Sequence, residues 1–219
     1  MTEFNEDTIT GDILNFETAL QSGHEEAIQV FLEEHPIFLG FLGWHGIVKS
    51  KFRLADAFIP DFISIGSYPF SNRPQPLVTF IEIERADMPL FTKSGDPTSF
   101  LTHAIRQVQD WKRWVTDNRM YLKAQLQIIL TEETPQIFDE DNRYMREESS
   151  KGIAYGFIDR YLVIAGRRSS TKISDRLLLG QMNDDFQDIR IMTYDALIEG
   201  VLIQLRHHKR DRFWGDILE

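Results

Sequence analysis

LVTFIEIE, residues 77–84, is the stretch on which the fold turns. From Leu77 to Ile81 large apolar side chains follow one another with a single polar break at Thr79. Such a run predicts a central strand covered on both faces, because a half-exposed strand would alternate. Yet it ends in Glu82 and Glu84. Strand side chains alternate, so the two carboxylates share a face, with Cα atoms about 6–7 Å apart. At an effective dielectric near 20, two such charges repel by roughly 2–3 kcal/mol, and burial adds a desolvation cost. A divalent cation answers both problems, and carboxylate oxygens suit Mg²⁺ or Mn²⁺.

Working outward, IVKSKFRLAD (47–56) and IPDFISIG (59–66) read as two strands joined by a short turn into a hairpin. Asp61, directly after Pro60, falls near the start of the second. Neighbouring strands lie about 4.8 Å apart, so an acid on one can share a cation with acids on the next. Two or three carboxylates around a metal with open positions suit phosphodiester hydrolysis: the metal polarises the phosphoryl oxygen and acidifies the attacking water.

SYPFSNRPQP (67–76) and MPLFTKSGDP (88–97) are predicted loops. Residues 98–117 form a helix with Phe100, Ala104, Val108, Trp111 and Val115 on its buried side, and Gln107 on the same stripe. A buried amide needs partners, and the carboxylates or a bound water are candidates. LQIIL (126–130) reads as a fourth strand, 131–150 as a charged excursion, and YGFIDRYLVIAG (155–166) as a further strand or pair. IRIMTYDALIEGVLIQL (189–205) is a strand leading into a helix, with Thr193 or Asp195 at its cap. Upstream, 24–34 is an amphipathic helix stopped by Pro36, with Ser22 as N-cap and Glu25 in capping-box position. Glu25 shares a face with Ile28 and Leu32, so it can also look inward. The order predicts a mixed central sheet with helices on both faces.

The chain has 219 residues and no Cys, which removes disulfides, thiolate metal sites and cysteine nucleophiles. The acidic start MTEFNEDTITGD lacks the features of a signal peptide, and no apolar run reaches membrane-span length; a cytoplasmic protein with no membrane partner is expected. The net charge of −10 is uneven: nine of the 34 acids, and no Lys or Arg, fall in residues 1–48. The rest is nearly neutral, so global charge does not exclude nucleic acid. There is no Gly-rich phosphate loop and no Ser or Cys elbow. A paired-carboxylate glycosidase fits poorly, without sugar-stacking aromatics around the acids.

Pro60-Asp61, a spacer, then Glu82-Ile83-Glu84 resembles the PD-(D/E)xK nuclease superfamily. More narrowly, EEAIQVFLEEHPIFL (25–39), IPDFISIG (59–66), FIEIERADMPLFTKSG (80–95), HAIRQVQDWKRWV (103–115), YLVIAGR (161–167) and TYDALI (193–198) in this order resemble the nuclease domain of Shedu anti-phage defence proteins. The resemblance implies an α/β fold with a PD-(D/E)xK restriction-endonuclease-like core (αβββαβ), Mg²⁺ (or Mn²⁺) as cofactor, DNA cleavage, and a homo-oligomer. It gives Asp61 and Glu82 the metal-ligand roles, helped by the carbonyl of Ile83, and matches Gln107 to a family glutamine on the helix after the central strand. The third superfamily position is usually Lys. Here it is Glu84, an E-x-E variant in which the second acid binds metal or acts as base; Arg85 or Lys93 are candidates for the displaced charge. The division expected is a short acidic arm (1–20), the nuclease-like domain (21–205) and a basic tail (206–219).

Two blander readings stand beside this one. Glu82 and Glu84 can belong to a structural ion-pair network with Lys51, Arg53 or Arg85. The whole chain can be an inactive nuclease-fold module that binds nucleic acid or protein. Lys112, Arg113, Arg119 and Lys123 read as solvated helix positions, and Arg167-Arg168 as a phosphate contact or a turn. Trp111 and Trp114 read as packing residues.

Overall fold

The computed structural model describes residues 6–40, 42, 47–67, 75–132 and 151–204. Most of the 67–76 loop, nearly all of the 131–150 excursion and the whole basic tail lie outside the described residues. Three helices come first: α1 (Glu6–Gln21), α2 (Glu25–Glu34) and the single turn α3 (Ile37–Gly40). Strands β1 (Ile47–Ser50), β2 (Phe62–Ser67) and β3 (Pro76–Ile83) follow, then helices α4 (Ser99–Asp117) and α5 (Arg119–Glu132). Strand β4 (Ile158–Ile164), helix α6 (Ile173–Asp185), strand β5 (Ile189–Met192) and helix α7 (194–204) complete the chain.

The five strands form one mixed sheet in the order β1-β2-β3-β4-β5, antiparallel on the β1–β3 side and parallel from β3 to β5. LVTFIEIE does form the central strand, and every residue of β3 is buried. Its pleat divides the core. Val78 and Phe80 pack with Ile63, Val108, Trp111 and Val163 towards α4 and α5. Ile81 and Ile83 pack with Phe62, Phe16, Phe38, Tyr194 and Leu197 towards α1, α2, α3 and α7. The mixed α/β sheet with helices on both faces is therefore present.

Several local readings change. Residues 126–130 are helix, not strand: they lie in α5, whose buried residues Leu122, Leu126, Ile129 and Leu130 follow a helical period. The five-residue window LQIIL is too short to show that period, and its isoleucines mimic a strand. The helix follows α4 after one residue, Asn118, whose side-chain amide and main-chain N–H both donate to Trp114 O. On α4, Phe100 is exposed and Leu101 is buried instead. Both stand at helical spacing from Ala104, so only the surrounding elements choose between them.

The strand expected over 47–56 stops at Ser50, and β1 and β2 are joined by a folded loop, not a short turn. Lys51 and Ala55 have φ of 49° and 50°, and Leu54 pairs with Phe58 in a small bridge. Helix α6 was not foreseen, because apolar residues fall on both its sides: Leu178, Leu179 and Met182 face the core while Ile173 and Leu177 are exposed. Ser22 is not the N-cap of α2. His24 occupies that position, and Ser22 Oγ instead donates to Ala19 O at the end of α1. Among the described residues no helix is long and apolar enough to cross a membrane.

Candidate functional site

The antiparallel register that sets Phe62 opposite Ile81 continues one step to set Asp61 opposite Glu82. Both side chains are on the α4 face by the parity of their strands. Asp61 is 9% exposed and Glu82 7% exposed, which is deep for acids. Asp61 is well served: Lys51 Nζ donates to Oδ1 at 2.7 Å, and the N–H of Ile83 donates to Oδ2 at 3.0 Å. Glu82 is not, since its buried Oε2 has no hydrogen-bond partner among the described residues. Burial, then the Asp61 charge and a hydrogen bond to it, hold the Glu82 carboxyl far above the ordinary carboxylate range. A proton therefore resides where a cation would relieve the same repulsion.

Glu84 lies one residue past the end of β3, half-buried, with its N–H donated to Ile164 O at 2.9 Å. Burial first, then Glu25 and Asp61, push its carboxyl up to about 7. Glu25 comes from the first turn of α2. With no capping box there, its carboxylate is available to the site, and burial followed by Asp61 raises its pKa. Four acids from three elements thus repel one another at the end of the sheet where β3 and β4 finish. In open α/β sheets this carboxyl end of the parallel strands is where ligands bind.

The ion-pair alternative can be followed residue by residue. Arg85 is drawn to Asp87 at 2.7 Å, and Lys51 goes to Asp61. Neither takes Glu82 or Glu84. Lys51, considered from sequence only as a partner for those glutamates, is the cation that hydrogen-bonds the cluster among the described residues, while Arg85 acts on Glu25 through its charge alone. Its left-handed φ costs about 1–2 kcal/mol for a non-glycine residue. Its N–H also donates to Asp61 O at 2.8 Å, so side chain and main chain hold one acid together. No pattern in the sequence announces that turn.

Gln107 is half-buried between Ala104 and Trp111 on α4, and no hydrogen bond joins it to the acids among the described residues. For Ile83 the site contact is its N–H to Asp61. Among the described residues no three or more His, Asp or Glu side chains are spaced to hold a metal ion as they stand. The donor chemistry nevertheless fits one: the oxygens are hard, and Glu82 offers a buried oxygen that no described residue hydrogen-bonds. Asp61 and Glu82 would hold the ion, with Glu84 and Glu25 within electrostatic reach, once Lys51 yields Asp61 Oδ1.

The basic pair at 167–168 has gone to carboxylates. Arg167 donates to Glu17 on α1 at 2.8 and 3.0 Å and to Asp195 on α7 at 2.9–3.1 Å. Arg168 donates to Glu199. Thr193 Oγ1 takes the cap of α7, accepting from Ala196 N–H at 3.3 Å, while Asp195 pins Arg167. A cleft of about 740 Å³ opens elsewhere, between the C-terminal half of α4 and the α6–β5 turn. Lys112 and Asp188 bridge it at 2.6 Å, and it contains none of the four acids.

No curated protein matches the chain. Residues 22–198 match the family described as Shedu protein SduA, C-terminal, a stretch that begins just after α1 and carries all four acids. With most of its length inside that match, the chain belongs to the Shedu SduA C-terminal family.

Proposed function

We propose that this protein is a Mg²⁺- or Mn²⁺-dependent DNA endonuclease acting in anti-phage defence. Family membership indicates the defence role. The observation that carries the chemistry is Glu82: a buried carboxyl, unpaired at one oxygen among the described residues, beside a second carboxylate on the adjacent strand. Two carboxylates sharing a buried site carry both a desolvation cost and mutual repulsion, which packing alone does not call for. The order α2, β1, β2, β3, α4, β4, with α3 and α5 inserted after α2 and α4, supports the αβββαβ nuclease core.

Each side chain has a distinct part in this reading. Asp61 and Glu82 bind the ion, which when present polarises the scissile phosphate and acidifies water. Lys51 orients Asp61 and supplies the positive charge that Glu84 does not. Glu84, pushed up to about 7, is poised to accept a proton near neutral pH. Glu25 adds negative field from the other face of the sheet. Gln107 approaches from α4 as an assisting amide. DNA is the substrate partner, and a homo-oligomer is the working form.

The experiment is cleavage of supercoiled plasmid by the purified chain with Mg²⁺, Mn²⁺ or chelator. Cutting should need the metal and vanish in Glu82→Gln and Asp61→Asn. A Glu82→Gln protein that nicks as fast as wild type sinks the assignment. The second reading, a nuclease fold without turnover, is favoured by the absence of Lys at position 84. It predicts no cutting, and no heat of Mn²⁺ binding even with DNA present.

A further inference from the structure

Tyr194 lies beneath the acid site, not in it. Its side chain is fully buried, edge-on to Phe16 with ring centroids 6.0 Å apart. Phe31 and Phe38 complete an aromatic cluster around Phe16. A Phe would fill that volume as well. A buried tyrosine hydroxyl usually finds a partner, and here the partner is the main-chain carbonyl of Glu84, which accepts from Tyr194 Oη at 2.7 Å.

The Glu84 peptide group lies just past the end of its strand and is held from two sides. Strand β3 ends at Ile83. Beyond it, Glu84 N–H is held by Ile164 O on β4, and its carbonyl is held by Tyr194. Tyr194 is itself anchored, its N–H donating to Gly166 O at 3.2 Å, while Gly166 N–H donates to Arg85 O at 3.2 Å. Gly166 has φ +64°, and a Cβ there would come within 3.0 Å of Met88 O, so the close approach depends on glycine. The start of α7, the end of β4 and the segment after β3 are thus laced together around one peptide.

We propose that Tyr194 is a positioning residue of the acid site: its hydroxyl holds the Glu84 carbonyl and so keeps the Glu84 carboxylate turned towards Asp61 and Glu82. This role rests on the metal-site reading above. It differs from a core role, because a core tyrosine needs its ring and this one is assigned its oxygen.

Tyr194→Phe removes that oxygen and keeps the ring, so the chain folds, with a melting temperature lower by about 2–4 °C. Mn²⁺ affinity of the full chain is measured by calorimetry, and the Glu84 backbone carbonyl is followed by its ¹³C signal. The control is Tyr161→Phe, which deletes a hydroxyl bonded to Asp159 at 3.0 Å at the opposite end of the sheet. Tyr194→Phe should weaken Mn²⁺ binding by ~10–100-fold, the range for losing a residue that orients a ligand, and move the Glu84 signal; Tyr161→Phe should do neither. Wild-type Mn²⁺ affinity and an unmoved Glu84 signal in Tyr194→Phe overturn the proposal. A wild-type chain that takes no Mn²⁺ removes the metal reading alone: a moved carbonyl signal then retains the positioning role, and an unmoved one removes it too.

Discussion

Two clusters of carboxylates stand at neighbouring strand ends, and they are built to opposite specifications. After β4, Arg167 lies between Asp195 and Glu17, using its guanidinium on both. Asp195 also accepts the Arg168 N–H at 2.7 Å, and these partners hold its carboxyl below the usual range despite burial. After β3, Asp61, Glu82, Glu84 and Glu25 have one lysine among them, and Glu82, Glu84 and Glu25 are all raised. The first cluster satisfies itself and ties α1 and α7 to the sheet. The second stays short of positive charge, which is the condition for taking a cation from solution. Burial is common to both; the supply of donors is what separates structure from site.

The largest effect on stability is expected in the satisfied cluster. Arg167→Met leaves two partly buried carboxylates without a cation and should cost about 2–4 kcal/mol, between the values for surface and buried pairs, read by urea denaturation. Loss below about 0.5 kcal/mol would erase the contrast drawn between the clusters.

The pH dependence of the metal-free protein sharpens it. Glu84 has its pKa raised from 4.5 to about 7 in the folded chain, so the folded state keeps a proton that the unfolded state has lost. Its contribution is therefore fully present below pH 4.5 and declines as pH rises through about 7. Melting temperatures of the metal-free chain should fall across that window, Glu84→Gln should flatten the fall, and Mn²⁺ should restore more stability at the alkaline end than at the acidic one. A slope unchanged by Glu84→Gln assigns it to another group.

The smallest effect is the most telling. Glu82 already holds its proton at neutral pH, and Gln has nearly the shape of a protonated Glu. Metal-free Glu82→Gln, which folds without taking up a proton, should therefore melt no lower than wild type at neutral pH while failing to cut DNA. A large destabilisation would mean that Glu82 is structural, as Arg167 is.

The reach of the sequence can be judged from particular residues. LVTFIEIE declares a doubly covered strand because only two apolar layers make such a run favourable, and the alternation rule places Glu82 and Glu84 on one face; that Asp61 stands opposite Glu82 is set by the β2–β3 register. LQIIL misleads because five residues cannot distinguish helix from strand, and the period appears only from Leu122 to Leu130. The sequence divides Glu25 between a capping box with Ser22 and the site; in the fold His24 is the N-cap and makes no side-chain cap bond. Lys51 and Tyr194 were out of reach as site residues, because their contacts with Asp61 and Glu84 cross ten and 110 positions of chain.

By itself, the sequence determined the period-two and helical patterns, hence the sheet, its central strand and the family, and it marked the acids as misplaced in a core. These depend on local spacing and on the aversion of charge to burial, which any observer of the chain can read. Only the tertiary structure decided which acids find partners. A cation neutralises a carboxylate by proximity, and proximity between Arg167 and Glu17, or its lack around Glu82, comes from how the sheet brings distant segments together.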